Sequence, residues 1–210
     1  AARGFATVSI NYRLSGEAHF PAQIQDAKAA VRWLRANAEK WSINPDAIGA
    51  TGTSAGGHLA ALLATSADVD ELEGSGGNSD FSSRIHAAVP MGAQTDLMVE
   101  RIRLKSLDPK VKIYRNFLNG SQVENPTLYQ LASPRHHFSK DDAPAFFITG
   151  ELDDPSTRAV AFREDYDRHN ILNGVKVIPG APHGFVRKQK FFDSAIEQMV
   201  EFFTECLIEP

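Results

Sequence analysis

The sequence holds a single cysteine, Cys206, among 210 residues. An intrachain disulfide is therefore excluded, and any metal site would fall to histidines and carboxylates. No apolar run approaches the length that a bilayer demands, so no membrane span is expected. Excess positive charge is also lacking: 22 Lys and Arg stand against 26 Asp and Glu, a formal net charge of -4 with both signs interspersed. Such a balance offers no field for a nucleic-acid backbone. Neither an initiator Met nor the charged, apolar and small-residue succession of a signal peptide opens the chain at residues 1–5 (AARGF). An upstream segment is therefore expected, and neither compartment nor oligomeric state is assigned. No internal repeat is visible. With 42% hydrophobic and 23% charged residues, the length fits one domain over residues 1–210 with a sizeable core.

Residues 5–12 (FATVSINY) are β-branched and aromatic enough to predict a buried strand. Over residues 22–41 the apolar positions Ile24, Ala27, Val31, Leu34 and Ala38 recur at steps of three and four, one face of an amphipathic helix. A turn at Asn44-Pro45-Asp46 leads to a short strand at 47–51 and an Ala- and Leu-rich helix at 55–65. Residues 66–84, acidic and glycine-rich, predict a solvated loop without chemistry. Strands are predicted at 85–91, 145–149 and 175–178, with helices at about 158–169 and 191–207. Residues 97–133 mix helical patterning with Arg101, Arg103, Lys105, Lys110 and Lys112, and are expected to form a cap or lid. The flanking Phe202, Phe203 and Leu207 predict a buried, structural Cys206. Alternation of strands and helices predicts an α/β fold, a mostly parallel sheet covered on both faces.

The chemistry gathers at Gly52-Thr53-Ser54-Ala55-Gly56, a G-x-S-x-G pattern between a short strand and a helix. A sharp strand-to-helix turn there exposes a nucleophilic serine, and Gly52, Gly56 and Gly57 supply the small residues that close backbone approach requires. The N–H of Ala55, at the helix start, can donate to an oxyanion. A phosphate-binding turn would be the plainer reading of a Gly-rich helix start, but neither G-x-G-x-x-G nor G-x-x-x-x-G-K-[ST] occurs at this turn. A serine hydroxyl needs a base, and a base needs a carboxylate to orient it, in the order Ser, acid, His. His183 lies after the last predicted strand, in PGAPHGF, where that base belongs; the other six histidines fall within or beside elements and read as surface or structural. Asp153, in the loop after AFFIT, is the first candidate for the acid. Its neighbour Asp154, and Asp96 after the preceding strand, also satisfy the order. Gln94 and Thr95 are candidate substrate contacts in a loop above the turn.

GTSAGGH, taken with NYRLS, FPAQIQDAKAAVRWLR, NPDAIGATG, the acid loop and PHGF, resembles the esterase/lipase branch of the α/β-hydrolases, and most nearly the bacterial feruloyl and acetylxylan carbohydrate esterases. The resemblance runs across nearly the whole chain. It implies that Ser54 attacks an ester carbonyl, that His183 relays the proton, that Asp153 orients His183, and that water hydrolyses an acyl-enzyme. It implies a small-molecule or carbohydrate ester as substrate, with no cofactor and no metal. Arg13 and Asp26 also match family positions, as a structural charge pair. Nothing matches the family's His-Gly-Gly-Gly turn, which follows the third strand and completes the oxyanion hole. The resemblance therefore implies a chain that lacks the first strands and that turn, leaves an open slot in the sheet, and folds poorly or turns over slowly as a fragment. Two other functions fit the same motifs: a serine peptidase of the prolyl-oligopeptidase kind, and an inactive hydrolase-like binding module.

Overall fold

The computed structural model describes residues 3–208; residues 1, 2, 209 and 210 of the expected domain lie outside them. An irregular N-terminal stretch leads into α1 (Ala22–Ala36) and the single turn α2 (Ala38–Trp41). β1 (Gly49–Thr53), α3 (Ala55–Thr65) and β2 (Ala87–Met91) follow. Three short helices, α4 (Glu100–Leu107), α5 (Lys112–Leu118) and α6 (Pro126–Leu131), stand between β2 and β3 (Ala145–Gly150). The chain closes with α7 (Val160–Arg168), β4 (Asn173–Ile178) and α8 (Gln189–Leu207).

The four strands are parallel, in the order β1-β2-β3-β4. Parallel neighbours need crossover connections, and the helices between the strands supply them. The pleat sorts the side chains. On β2, Ala87, Val89 and Met91 join Ile148, Ile178 and Phe202 of α8 in one core, while Ala88 joins Phe147, Leu62 of α3 and Ile24 of α1 in the other. Ile102, Leu118 and Tyr129 extend that second core into the three short helices, so the insertion is packed, not loose.

Three expectations are corrected. Residues 5–12 form no strand and are mostly exposed. Phe5 packs toward Phe203 on the α8 side and Tyr12 on the α1 side, so the two ends rest on opposite faces of the sheet. Their β-pattern goes unused: among the described residues they pair with no strand. The helix expected over 22–41 is interrupted at Asn37, whose backbone N–H and side-chain amide both donate to Trp33 O, at 3.1 and 2.9 Å. Finally, residues 66–84 are not merely solvated. Leu72 is fully buried, and Glu73 accepts hydrogen bonds from Lys28 Nζ, itself fully buried, at 2.5 Å and from Arg32 NH1 at 2.8 Å. A buried ammonium demands an anion, which gives the acidic composition of that loop a structural use.

The charge pair at Arg13 and Asp26 is bidentate, with Arg13 Nε 2.9 Å from Asp26 Oδ2 and NH2 2.8 Å from Oδ1. It fixes the end of the irregular stretch to α1. Beyond Thr53 the sheet offers one crest: the carboxyl ends of β1, β2, β3 and β4 lie side by side, Thr53 opposite Met91, Met91 opposite Ile148 and Gly150 opposite Ile178.

Candidate active site

Ser54 follows the last residue of β1 and precedes the first of α3, with φ 58° and ψ -114°. A non-glycine residue in that region carries a strain of about 1–3 kcal/mol, sustained only where its surroundings fix it. Two contacts do so here. Ser54 N donates to Met91 O at 2.8 Å, tying the turn to β2, and His58 N donates to Ser54 O at 2.9 Å. Close approach decides the flanking residues. A Cβ on Gly52 would stand 2.5 Å from the Gly56 carbonyl carbon, and one on Gly57 would stand 2.6 Å from Met91 O. Gly56, expected to be needed for the same reason, faces open space, so its backbone is crowded by Gly52 while its own Cβ position is free.

The structure brings Ser54, His183 and Asp153 together. His183 Nε2 lies 2.9 Å from Ser54 Oγ, and Nδ1 lies 2.8 Å from Asp153 Oδ2. Because a carboxylate only accepts, Nδ1 carries the hydrogen and Nε2 is free to accept from the serine. The carboxylate is withdrawn and the imidazole open: the Asp153 side chain is 4% exposed and that of His183 50%. Asp153 Oδ1 accepts from Asp154 N at 2.7 Å, so both carboxylate oxygens have partners. The loop bases are joined as well, with Leu152 N donating to Ala181 O at 2.9 Å. Ala55 opens α3, where a backbone N–H has no acceptor within the helix.

The rival carboxylates are occupied elsewhere. Asp154 caps the 3-10 turn Pro155–Arg158 through Ser156 N at 3.1 Å and pairs with Arg101. Asp96 accepts from Met98 N at 2.8 Å and faces Arg135 NH1 at 3.4 Å. Neither carboxylate contacts His183. Of the two candidate substrate contacts, Thr95 is corrected: it is 4% exposed, buried beneath the loop, and its carbonyl accepts from Arg135 N at 3.0 Å. Gln94 is half-buried, with its Oε1 2.9 Å from Ser156 Oγ. His58 is a structural residue, its Nδ1 2.8 Å from Gln94 O and its ring edge-on to Phe117. Burial pushes its pKa down and keeps it neutral. Cys206 is half-buried, and burial raises its thiol to about 11.

One residue that sequence reasoning passed over belongs to the site. Gly92, φ +57°, follows β2, and a Cβ there would stand 3.1 Å from Asp153 Oδ2 and 3.4 Å from the His183 ring. A glycine directly after a buried strand, at the same crest as Ser54, was the available signal. Among the described residues no cluster of His, Cys, Asp and Glu suited to a metal ion occurs, and no helix is long and apolar enough to cross a membrane.

Residues 1–164 match the BD-FAE family. The chain belongs to that family. Among curated proteins, this BD-FAE chain is 35% identical over 185 residues to Esterase LipQ of Mycobacterium tuberculosis (strain ATCC 25618 / H37Rv), covering 87% of the chain and 43% of LipQ. It is 30% identical to Esterase LipC of the same organism, over 88% of the chain and 46% of LipC. The chain spans about half the length of the curated relatives it matches. Among solved structures, a truncated form of a carbohydrate esterase from gut microbiota superposes with a TM-score of 0.83 at 32% identity, over 99% of this chain and 76% of that one. A bifunctional GH43-CE protein of Bacteroides eggerthii gives 0.86 at 34%, over 97% and 27%. The BD-FAE chain thus has the α/β-hydrolase fold, and its parallel four-stranded sheet is the scaffold that those structures share.

Proposed function

We propose that the protein is a serine-dependent carboxylic ester hydrolase that acts through an acyl-enzyme on small acyl or carbohydrate esters. The observation that carries this reading is the unbroken chain from Ser54 Oγ through His183 to the buried Asp153 carboxylate, with both links within 2.9 Å. LipQ and LipC are named esterases, and one of the two solved structures is named a carbohydrate esterase and the other a GH43-CE protein; these names favour an ester over other acyl substrates.

In the first step Ser54 Oγ attacks the ester carbonyl carbon while its proton passes to His183 Nε2. Asp153 stabilises the imidazolium that results and holds the ring in the required tautomer. Negative charge gathers on the carbonyl oxygen, where the Ala55 N–H donates. Collapse of the tetrahedral species breaks the bond to the alcohol oxygen, which takes the proton from His183, and leaves the acyl group on Ser54. Water then repeats the sequence with His183 as base, releasing the acid and restoring the serine. No redox or metal step is required. The helical insertion α4 to α6 is the element we assign as a cap.

Labelling by a fluorophosphonate tests the assignment, because the reagent needs an activated serine but no particular acyl pocket. The unaltered protein should be labelled at Ser54 and should hydrolyse p-nitrophenyl acetate. Replacing Ser54 or His183 by Ala should lower kcat by up to about 10⁶-fold. Turnover of Ser54→Ala at the unaltered rate would sink the reading. Labelling without any ester turnover would favour a binding module, and preferential cleavage of a peptide amide would favour a peptidase.

A further inference from the structure

Asp154 adjoins Asp153 but turns its carboxylate away from His183, and its contacts reach three separate elements. Oδ1 lies 2.7 Å from Ser156 Oγ and 3.1 Å from Ser156 N. Oδ2 is ion-paired with Arg101 of α4, and Lys105 Nζ, one turn further along that helix, is 3.8 Å away. Ser156 Oγ also lies 2.9 Å from Gln94 Oε1 and accepts from Arg101 NH1 at 3.3 Å. The Ser156 hydroxyl has one hydrogen, which serves either Asp154 or Gln94. Gln94 in turn receives His58 Nδ1–H on its backbone carbonyl, one turn beyond Ser54 in α3. The acid loop, the loop after β2, the helix behind the serine and the insertion therefore meet at Asp154 and its partners.

One contact gives this network a bearing on chemistry. Apart from His183, the only hydrogen bond to the Asp153 carboxylate among the described residues comes from the backbone N–H of Asp154, at 2.7 Å. That N–H lies in the peptide plane between Asp153 and Asp154, which is set by ψ of Asp153 and φ of Asp154, so an Asp154 side chain anchored on Arg101 and Ser156 restrains the plane from its far side. We propose that Asp154 is a positioning residue: held by Arg101 of α4, it aims its own N–H at Asp153 and so keeps the Asp153 carboxylate in line with His183. The insertion thereby sets the acid as well as covering the site. This inference rests on the ester-hydrolase reading and adds to it a residue that does not touch the substrate.

Charge alone makes a different forecast from positioning, which allows the two to be separated. The charged groups on the elements that carry the dyad and its network are Asp153, Asp154 and Glu151 on the acid loop, Arg101 and Lys105 of α4 against Asp154, and Arg187 and Lys188 further along the chain from His183. Glu151 is committed to Gly180 N at 2.7 Å. Asp154→Asn removes a negative charge and Arg101→Gln a positive one. Acting only through space, the first would lower and the second raise the pH of the acid limb of kcat/KM. If instead both loosen the aim of Asp153, both lower it, because a displaced carboxylate stabilises the imidazolium less.

The experiment is the pH profile of kcat/KM for p-nitrophenyl acetate in the unaltered protein, Asp154→Asn, Arg101→Gln and Arg101→Lys, with Ser54→Ala alongside. Asn retains the cap to Ser156, which protects folding, and equal melting temperatures check it. In Asp154→Asn and Arg101→Gln, kcat should fall roughly tenfold, as small misplacements of a reacting group cause, with KM little changed. The acid limb should move to lower pH in both, and Arg101→Lys should restore most of the loss. An acid limb that moves to higher pH in Arg101→Gln, or a change confined to KM, overturns the proposal even when Ser54→Ala is inactive. Undiminished turnover in Ser54→Ala overturns the ester-hydrolase reading and the positioning role together.

Discussion

Residues 5–12 and β1 make an instructive pair. The first, FATVSINY, has the β-branched and aromatic composition of a strand and forms none; the second, GATGT, has two glycines in five residues and is a strand throughout. The difference is pairing. β1 is registered rung by rung to β2, from Gly49 opposite Ala87 to Thr53 opposite Met91, while residues 5–12 join no ladder. Strand propensity measures fitness for a pleated, half-buried surface, so it has no effect where that surface is missing. β1 stands at the edge of the sheet and its residues are exposed or half-exposed, whereas β2, paired on both sides, is buried over its whole length.

Hydrogen exchange should register this difference most strongly. Amides of β2 should be protected at least about 10³-fold more than those of residues 5–12, since the former open only with the whole domain and the latter have no ladder to open. Comparable protection in both would mean that residues 5–12 find a partner in solution. Next in size are the glycines at the bonded flank. Gly57→Ala drives a methyl against Met91 O and should cost about 1–3 kcal/mol in urea unfolding. Gly56→Ala, whose Cβ meets open space in a helix, should gain up to about 1 kcal/mol. Equal losses at both would show that the crowding lies elsewhere than at Met91 O.

A subtler effect concerns Asp142, at the foot of β3, whose carboxyl is pushed by burial from 3.8 to about 6. The folded state therefore holds this proton more tightly than the unfolded chain does. Its contribution to stability is greatest below about pH 4 and is lost as pH rises through 6. Asp142→Asn cannot acquire the charge, and its amide oxygen can keep one of the bonds from Ser139 N and Ser139 Oγ. Its melting temperature should exceed that of the unaltered protein at pH 8 and match it near pH 4. A rise of the same size at both values would point to a cause other than ionisation.

Much of this was legible in the chain itself, for reasons that can be named. The strand-turn-helix at Ser54 announces itself because close packing at Gly52 and Gly57 leaves room for nothing larger. The placement of His183 followed from chain order together with its loop after the last strand. The choice of Asp153 over Asp154 and Asp96 did not, because adjacent carboxylates differ only in where their side chains turn, and that depends on Arg101 and Arg135, far off in sequence. Gly92 escaped notice since its role is to leave space, and its one signal was a glycine directly after a buried strand. The use of Glu73 was hidden for a related reason: its partner Lys28 sits on an amphipathic helix at a position where a lysine would ordinarily be solvated.

At the crest of the sheet each strand delivers one residue, β1 leading to Ser54, β2 to Gly92, β3 to Asp153 and β4 to His183. Their relative heights follow from ladder alignment together with the short loops that carry Asp153 and His183 past the strand ends. Slipping β3 by a single rung against β4 would lift or drop the carboxylate by about 3.3 Å, farther than a hydrogen bond can stretch. The outer loops can accept changes in length and sequence that leave the proton path untouched, and one frame-shift between two neighbouring strands would sever it.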